Sequence, residues 1–572
     1  MKKALLIFIL FINSLVFSDT TIVALNQVHH SFGSSGNNRT AIETIQFPTN
    51  ETEYSSISMR VDLECPNGGC DPWDRKAKIS VYHLDQWIEI GRYVTPYGIE
   101  CGWDIDVTDY RSLFKGEVQI RSFIDTWVQP GWLVSIEFDF VSGSNEYPYT
   151  VVRNLWNYDR LVYGDPTIPI DIATINEYLP NDTEEAYIRI TTTGHGQGNT
   201  ENAAEFSDKK HNILINSETA YIHDFWRSDC EFNQCSPQNG TWQYDRAGFC
   251  PGDKVTAQNF SVLDFSLPGN SLQLEYELED YTNLCSPNNS SCVNGVTCSS
   301  CSYNNTGHTE PFYYIGSQLI IHTTSKHSNA DAYMRIAEPG GPLASDSSLG
   351  KIDIYLENYV PIYGISFNIN IDQLSGVGLE NISFQNGQGG RAEESGWTVG
   401  LNNSGFVVAL SQSDGNPIQP GEGVFTQIEW NIEDLPQVSG LINISDLEVS
   451  GYFGSELSFE IGPSRIVEEN LALSDIKNIP EYYVLHNAYP NPFNPLTTIN
   501  YDLPKDSFVR IDIYDLMGRQ IKTLVNENMM AGYRSIHWNA TNDLSQPVSA
   551  GLYIYTIQAG EFMKTKKMVL IK

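Results

Sequence analysis

Basic side chains are scarce in this chain: 34 lysines and arginines stand against 70 aspartates and glutamates, a formal charge of −36 over 572 residues. That balance opposes docking on phosphate backbones, so nucleic acid is a poor partner class, while acidity by itself speaks mainly for solubility. Long apolar runs are missing beyond Phe17, so no later stretch offers the ~20 consecutive apolar positions that a bilayer-spanning helix needs. No amphipathic pattern of three helical turns occurs between residues 19 and 325, which leaves strands to build the cores there. A Gly-x-Ser-x-Gly elbow is absent as well, so no serine nucleophile of that design is on offer.

What is present begins with Met1-Lys-Lys and the apolar run Ala4–Leu10 continuing to Phe17, with Val16 and Ser18 at small-residue cleavage positions. Residues 1–18 therefore read as a secretory signal, too short and too interrupted by Asn13 and Ser14 for a membrane anchor. In an exported chain the ten cysteines read as disulfides before metal ligands or redox thiols. A chain of this length holds roughly three to five domains.

From 19 to 157 the pattern is short alternating runs between turn residues. Ala77, Ile79 and Val81 share one face, as do Val134, Ile136, Phe138 and Phe140. The same grammar returns over 158–325, most clearly in Leu272, Leu274, Tyr276 and Leu278. Asn329–Ser347 is rich in Ala, Asp, Gly, Pro and Ser and reads as a linker. Residues 348–463 form another all-β unit, with Ile352, Ile354 and Leu356 and then Ile365, Phe367, Ile369 and Ile371 on single faces. A second linker over Ser464–Tyr483 leads to a last module at 484–572.

The most informative stretch is Glu64-Cys-Pro-Asn-Gly-Gly-Cys-Asp-Pro-Trp-Asp-Arg75. Two cysteines flank turn residues, so a Cys65–Cys70 bridge would close a rigid loop that aims Trp73, Asp74 and Arg75. This segment resembles the start of the active-site region of the peptide-N-glycosidase F family, amidases that strip N-linked glycans from asparagine. The likeness continues in order through Ile90-Gly-Arg-Tyr-Val-Thr-Pro-Tyr97, Asp104-Ile-Asp-Val-Thr-Asp-Tyr110, Asp125-Thr-Trp127, Ala204-Glu-Phe206 with His211, and Asp245-Arg-Ala-Gly-Phe-Cys-Pro-Gly252. It covers about residues 25 to 325.

The resemblance implies two adjacent antiparallel jelly-roll sandwiches, and with the two later modules an all-β chain of four β-sandwich domains. It implies that Asp74 is the principal catalytic aspartate and Glu205 the second essential carboxylate, one in each jelly roll, so that the site lies where the two meet. Asp125 stands where the family has a glutamate and is a third, supporting carboxylate of shorter reach. Arg75 and Arg246 match family arginines near the site, and Trp73 and Trp127 match tryptophans whose flat faces suit an N-acetylglucosamine ring. His195, in the loop before Glu205, is a further candidate substrate contact; its plainer reading, with His211, is loop hydrogen bonding. No metal or cofactor is implied. With no His-x-His pair in the chain, a copper oxygenase on a related fold is disfavoured.

Each of these residues has a bland reading as well. An Asp beside an Arg forms surface ion pairs, arginines brace loops, and tryptophans pack cores. Amide hydrolysis needs more than one carboxylate, because general acid–base help supplies only about 10²–10⁴-fold and electrostatic stabilisation must join it. Two carboxylates at one substrate can hold different protonation states. The acid and base roles of Asp74 and Glu205 remain interchangeable at this stage.

The chain departs from the family around Glu205, where Ala203 and Ser207 replace a pair of cysteines that staple the loop. Losing that staple threatens preorganisation, which favours a catalytically weak glycan-binding protein as the alternative to an enzyme. Cys230 and Cys250 match a family bridge; Cys101 and Cys235 have no counterpart there. The inserted Cys285, Cys292, Cys298 and Cys301 include a Cys-x-x-Cys that reads as disulfides ahead of half a zinc knuckle. The 348–463 unit resembles a cohesin-type sandwich. The last module, with Leu485-His-Asn-Ala-Tyr-Pro-Asn-Pro-Phe-Asn-Pro495, Ile513-Tyr-Asp-Leu-Met-Gly-Arg519 and Lys564-Thr-Lys-Lys567, resembles the immunoglobulin-like sorting domains of type IX secretion. Together with the signal this implies export through periplasm and outer membrane to the surface or medium, with the secretion machinery and an N-linked glycoprotein or glycopeptide as partners.

Overall fold

The computed structural model describes residues 19–34, 36–49, 54–286, 288–289, 310–336, 349–375, 382–411, 416–432, 439–468, 472–474 and most of 483–571. The signal segment 1–18 and Cys292, Cys298 and Cys301 lie outside the described residues.

Period-two alternation decides the architecture. Along Trp132–Ser142 every second side chain from Trp132 to Phe140 is buried and those between are half-exposed; Ala77, Ile79 and Val81 likewise face inward from Lys76–His83. The first sandwich packs a sheet ordered Thr20–His30, Trp132–Ser142, Tyr54–Glu64, Cys101–Asp106 against one ordered Asp253–Lys254, Gln86–Val94, Lys76–His83, Gly116–Ile124, Thr40–Phe47. The second packs Tyr149–Val162, Phe312–Thr323, Thr183–His195, Gln258–Ser261 against Ile175–Tyr178, Ser271–Leu278, His211–Ile215, Glu218–His223. All these pairings are antiparallel. The strand Tyr149–Val162 straddles the boundary expected at 157 and pairs along its length with Phe312–Thr323, so it serves the second sandwich.

The two sandwiches are interlocked. Phe312–Thr323 is buried at every position because one face packs into its own core and the other meets the first sandwich. There Arg92, held by Glu89 at 2.7 and 2.8 Å, donates to the Tyr314 carbonyl at 2.6 Å and lies 3.8 Å from the Tyr314 ring centroid. Asp253–Lys254, from the second half, adds an edge strand to the first sandwich beside Tyr93 and Val94. The Cys101–Cys235 disulfide joins segments 134 positions apart across the same junction, and Asp109 takes a 2.6 Å bond from Arg189.

In the third unit a five-stranded sheet faces a six-stranded one around Ile352, Ile354, Leu356, Phe367 and Phe425. Ala332–Ile336, inside the stretch read as a linker, is a strand of that unit, antiparallel to Leu349–Asn358 and parallel to Phe459–Ile461. Five residues are too few for a clear periodic signal, and the flanking composition masked it. The last unit sets a three-stranded sheet against a four-stranded one around the fully buried Trp538. Among the described residues no helix is long and apolar enough to cross a membrane.

Candidate active site

The Cys65–Cys70 disulfide closes the loop that precedes the site, and the chain then turns Asp71 fully inward. Asp71 is saturated: it accepts Arg75 Nε at 2.7 Å and Nη2 at 3.3 Å, the Trp73 backbone N–H at 3.0 Å, and the Thr126 hydroxyl at 2.7 Å. The guanidinium of Arg75 is therefore clamped by Asp71, four positions back, rather than by the adjacent Asp74. One buried carboxylate thus orders Trp73, Arg75 and the Thr126–Trp127 corner. Sequence reasoning passed over Asp71; its only signal was the i, i+4 spacing to Arg75 on a segment that looked like a turn.

Glu205 is held from the second sandwich. Strand Thr183–His195 ends at a loop in which Glu201, Asn202 and Ala204 all adopt left-handed backbone, with φ of 63°, 49° and 70°. Such conformations are costly for non-glycine residues and persist where surrounding contacts impose them. One imposed contact is Gly194 against the Ala204 carbonyl, which a Cβ at 194 would approach to 1.7 Å. Glu205 Oε2 accepts the Gly196 N–H at 3.1 Å, Oε1 accepts Arg246 Nη1 at 2.6 Å, and its carbonyl accepts the Ala247 N–H at 3.0 Å. The first two bonds fix the side chain and the third its backbone, with Ala203 and Ser207 on either side.

Arg246 is fully buried and forks. While Nη1 serves Glu205, Nη2 donates to Thr241 at 2.7 Å (carbonyl) and 3.1 Å (hydroxyl). Thr241 Oγ1 in turn lies 3.3 Å from the Tyr97 hydroxyl. Asp74, from the first sandwich, interacts electrostatically with both Arg246 and Glu205. Burial pushes the Asp74 carboxyl above its ordinary value, opposed by Arg246, Tyr97 and Arg75. Burial likewise pushes Glu205 up to about 7, with Arg246 pulling it down and the Asp74 charge adding to the rise. Near neutral pH such a pair can hold one proton between two carboxylates.

The remaining candidates surround this group. Trp73 and Trp127 are 59% and 53% exposed, so neither is a core tryptophan. Trp127 is packed edge-on by Phe32 at 5.1 Å and covered by Arg39 at 4.3 Å. Asp125 pairs with that same Arg39 at 3.3 Å and with Lys76 at 3.8 Å, so it braces the Trp127 patch; the expected third carboxylate stands with these cations rather than with Arg246. His195 is stacked between Phe249 at 5.0 Å and Phe312 at 5.2 Å, with Nε2 2.8 Å from Thr193 Oγ1. Burial, with Lys76, Arg92 and Arg246 nearby, holds it neutral. His211, the first residue of its strand, is buried against Tyr276, Tyr313 and Phe225, with Nδ1 2.6 Å from the Tyr276 hydroxyl.

The disulfides Cys65–Cys70 and Cys230–Cys250 are formed, and Cys101 pairs with Cys235. Cys285 is also disulfide-bonded.

Two jelly rolls locked side by side, with Glu205 of the second paired to Arg246 and Asp74 of the first in electrostatic reach of both, define a two-sandwich hydrolase scaffold. The family descriptions "Peptide-N-glycosidase F, N terminal" and "Peptide-N-glycosidase F, C terminal" match residues 79–140 and 167–296. A curated protein of Elizabethkingia miricola, peptide-N(4)-(N-acetyl-beta-D-glucosaminyl)asparagine amidase F, is 34% identical over 288 residues, which cover 48% of this chain and 81% of the relative. The chain belongs to the peptide-N-glycosidase F family.

Among solved structures, a peptide-N(4)-(N-acetyl-beta-D-glucosaminyl)asparagine amidase shares 30% identity with a TM-score of 0.48, covering 54% of this chain and 98% of its own. PNGase F from Flavobacterium meningosepticum, a glycosylasparaginase, gives 30%, 0.47, 54% and 98% by the same measures. Residues 487–572 match the "Secretion system C-terminal sorting domain", which marks the chain for type IX secretion to the cell surface or beyond.

Proposed function

We propose that this chain is a secreted amidase that hydrolyses the bond between asparagine and the proximal N-acetylglucosamine of N-glycoproteins or glycopeptides. The observation that carries this reading is the buried Glu205–Arg246 ion pair of the second sandwich, with Asp74 of the first sandwich in electrostatic reach of both. In the reaction Asp74 takes a proton from water as the water oxygen bonds to the amide carbon. Charge gathers on the carbonyl oxygen, and the guanidinium groups at the site stabilise it. The carbon–nitrogen bond then breaks, the departing nitrogen is protonated from Glu205, and aspartate and a glycosylamine leave. Trp73 and Trp127 offer exposed apolar faces to the sugar, and Arg75, fixed by Asp71, offers donors to its polar edge. The sorting domain makes the type IX secretion machinery the export partner.

A glycan-binding protein without catalysis would share the scaffold and the tryptophans. What favours the enzyme is the support of Glu205 by Gly196, Arg246 and Ala247, which replaces the absent cysteine staple. Incubating the full chain with a defined N-glycopeptide tests the reading. Free glycan from the parent and none from Asp74→Asn is expected; equal release from both removes Asp74 from the mechanism, and binding without release leaves the glycan-binding protein.

A further inference from the structure

Glu205 sits at the end of a loop that needs outside support. Glu201, Asn202 and Ala204 hold left-handed backbone, and residues 199–207 contain no cysteine to tie them; conformations of that kind persist where neighbouring segments impose them. The segment Tyr281–Cys285 is such a neighbour. The Tyr281 hydroxyl donates to the Thr200 carbonyl at 2.8 Å, with Asn199 Oδ1 3.3 Å away. The Thr200 hydroxyl accepts the Cys285 backbone N–H at 3.2 Å and donates to Asn283 Oδ1 at 3.4 Å. Within the loop the same Thr200 carbonyl accepts the Ala203 N–H at 3.2 Å, and Asn199 Nδ2 donates to the Ala203 carbonyl at 3.3 Å. The bonds from 281–285 therefore land on the turn that closes at Ala203, two residues before Glu205.

The supporting segment is itself fixed. The Tyr163 ring stacks on Tyr281 with centroids 4.6 Å apart and planes 21° apart, and the Tyr163 hydroxyl donates to the Glu279 carbonyl at 2.6 Å. Gly164, at φ +78°, lies so close that a Cβ there would stand 2.3 Å from the Tyr281 ring, and its carbonyl accepts the Asn283 N–H at 2.9 Å. Asn283 and Cys285 are buried, and Cys285 is disulfide-bonded. Tyr281 thus reaches from a clamped ring to the Thr200 turn, a strut rather than a loose surface contact.

We propose that Tyr281 and Thr200 are positioning residues for the amidase reaction: the 281–285 segment clamps the turn before Glu205 and so holds that carboxylate where Arg246 Nη1 and the Gly196 N–H meet it. The inference rests on the amidase reading above. Neither residue is assigned a contact with substrate; their effect passes through the loop to Glu205.

The test is steady-state kinetics on a defined N-glycopeptide with the full chain and its Tyr281→Phe, Thr200→Val and Thr200→Ser variants, each assayed well below its own Tm. Tyr281→Phe keeps the stacked ring and removes only the hydroxyl. A fall in kcat of about tenfold with KM little altered is expected, because displacing a reacting group costs rate more than binding. Thr200→Val, which removes the acceptor of the Cys285 N–H, is expected to fall in the same way and Thr200→Ser to recover the parent's kcat. In a Glu205→Gln background, where the positioned carboxylate is gone, Tyr281→Phe is expected to lower kcat no further. A parent-like kcat in Tyr281→Phe overturns the clamp, as does an undiminished loss in the Glu205→Gln background. Should Tyr281→Phe fail to fold, or Glu205→Gln leave no activity to compare, the Thr200 pair decides alone: equal kcat in the Val and Ser variants overturns it. Absence of glycan release by the parent chain would instead count against the amidase reading itself.

Discussion

Arg246 and Glu205 stand 2.6 Å apart, the guanidinium fully buried and the carboxylate side chain 15% exposed. A pair this enclosed is weakly screened, and losing one partner costs far more than at the surface. The same guanidinium holds Thr241 with its other nitrogen, and its charge also favours the ionised form of Asp74.

Arg246→Lys keeps the charge and loses the planar fork that reaches Glu205 and Thr241 together. A fall in kcat of about 10²-fold or more is expected, the scale for losing a preorganised electrostatic contact. Arg246→Gln removes the cation that pulls the Glu205 pKa down, so that pKa rises. If Glu205 acts as the acid, the basic limb of the activity profile then moves to higher pH. Steady-state kinetics across pH on both variants check the two effects.

Asp71→Asn removes the charge and replaces one of the two oxygens by an NH2 group, so the Arg75 fork is lost and the Trp73 N–H and Thr126 hydroxyl, which bond different oxygens, cannot both be kept. Breaking a buried pair of this kind costs about 3–5 kcal/mol. Urea denaturation is expected to report that loss, and KM for glycopeptide is expected to rise because Trp73 and Arg75 lose their orientation. Unchanged stability would mean that Asp71 carries no structural weight.

The Cys101–Cys235 bridge spans 134 positions. For a loop of that length the chain-entropy view expects about 4–5 kcal/mol of stabilisation. Replacing both cysteines by serine is expected to lower Tm and, because the segment after Cys235 carries Thr241, which holds Arg246, to lower kcat as well. Thermal melts and kinetics at a temperature where the variant is folded separate the two.

His327 joins the second and third sandwiches, 2.7 Å from Asp182 and 3.0 Å from Glu357. Burial alone would lower its pKa, but the hydrogen bonds and charges of the two carboxylates outweigh burial and push it up to about 10. The folded value lies above the ordinary one, so the stabilisation is fully present below the ordinary histidine pKa and is lost as pH rises toward 10. Denaturation measured from neutral to alkaline pH is expected to show a decline in stability that His327→Gln flattens.

The strands with long alternation, such as Trp132–Ser142 and Ser271–Leu278, were legible in the sequence because burial of every second side chain leaves a direct mark. The short strand Ala332–Ile336 was not, having too few periods to stand out from its polar flanks. Asp74, Glu205 and Arg246 could be named from ordered motifs. Asp71 and the Tyr97–Thr241 contact could not be assigned roles, because their partners come from turns whose packing only the assembled fold defines. The same holds for the Cys101–Cys235 pairing and for the Arg39–Asp125 pair that turns Asp125 toward Trp127. Local composition predicts neither.

The most direct measurement is mass spectrometry of an N-glycopeptide after incubation with the full chain in heavy-oxygen water. Water attack on the side-chain amide places heavy oxygen in a new aspartate at the former glycosylation site, releases the glycan whole, and fails in Asp74→Asn. A peptide that keeps its asparagine, whether still bearing the full glycan or a single N-acetylglucosamine stub, would contradict the account.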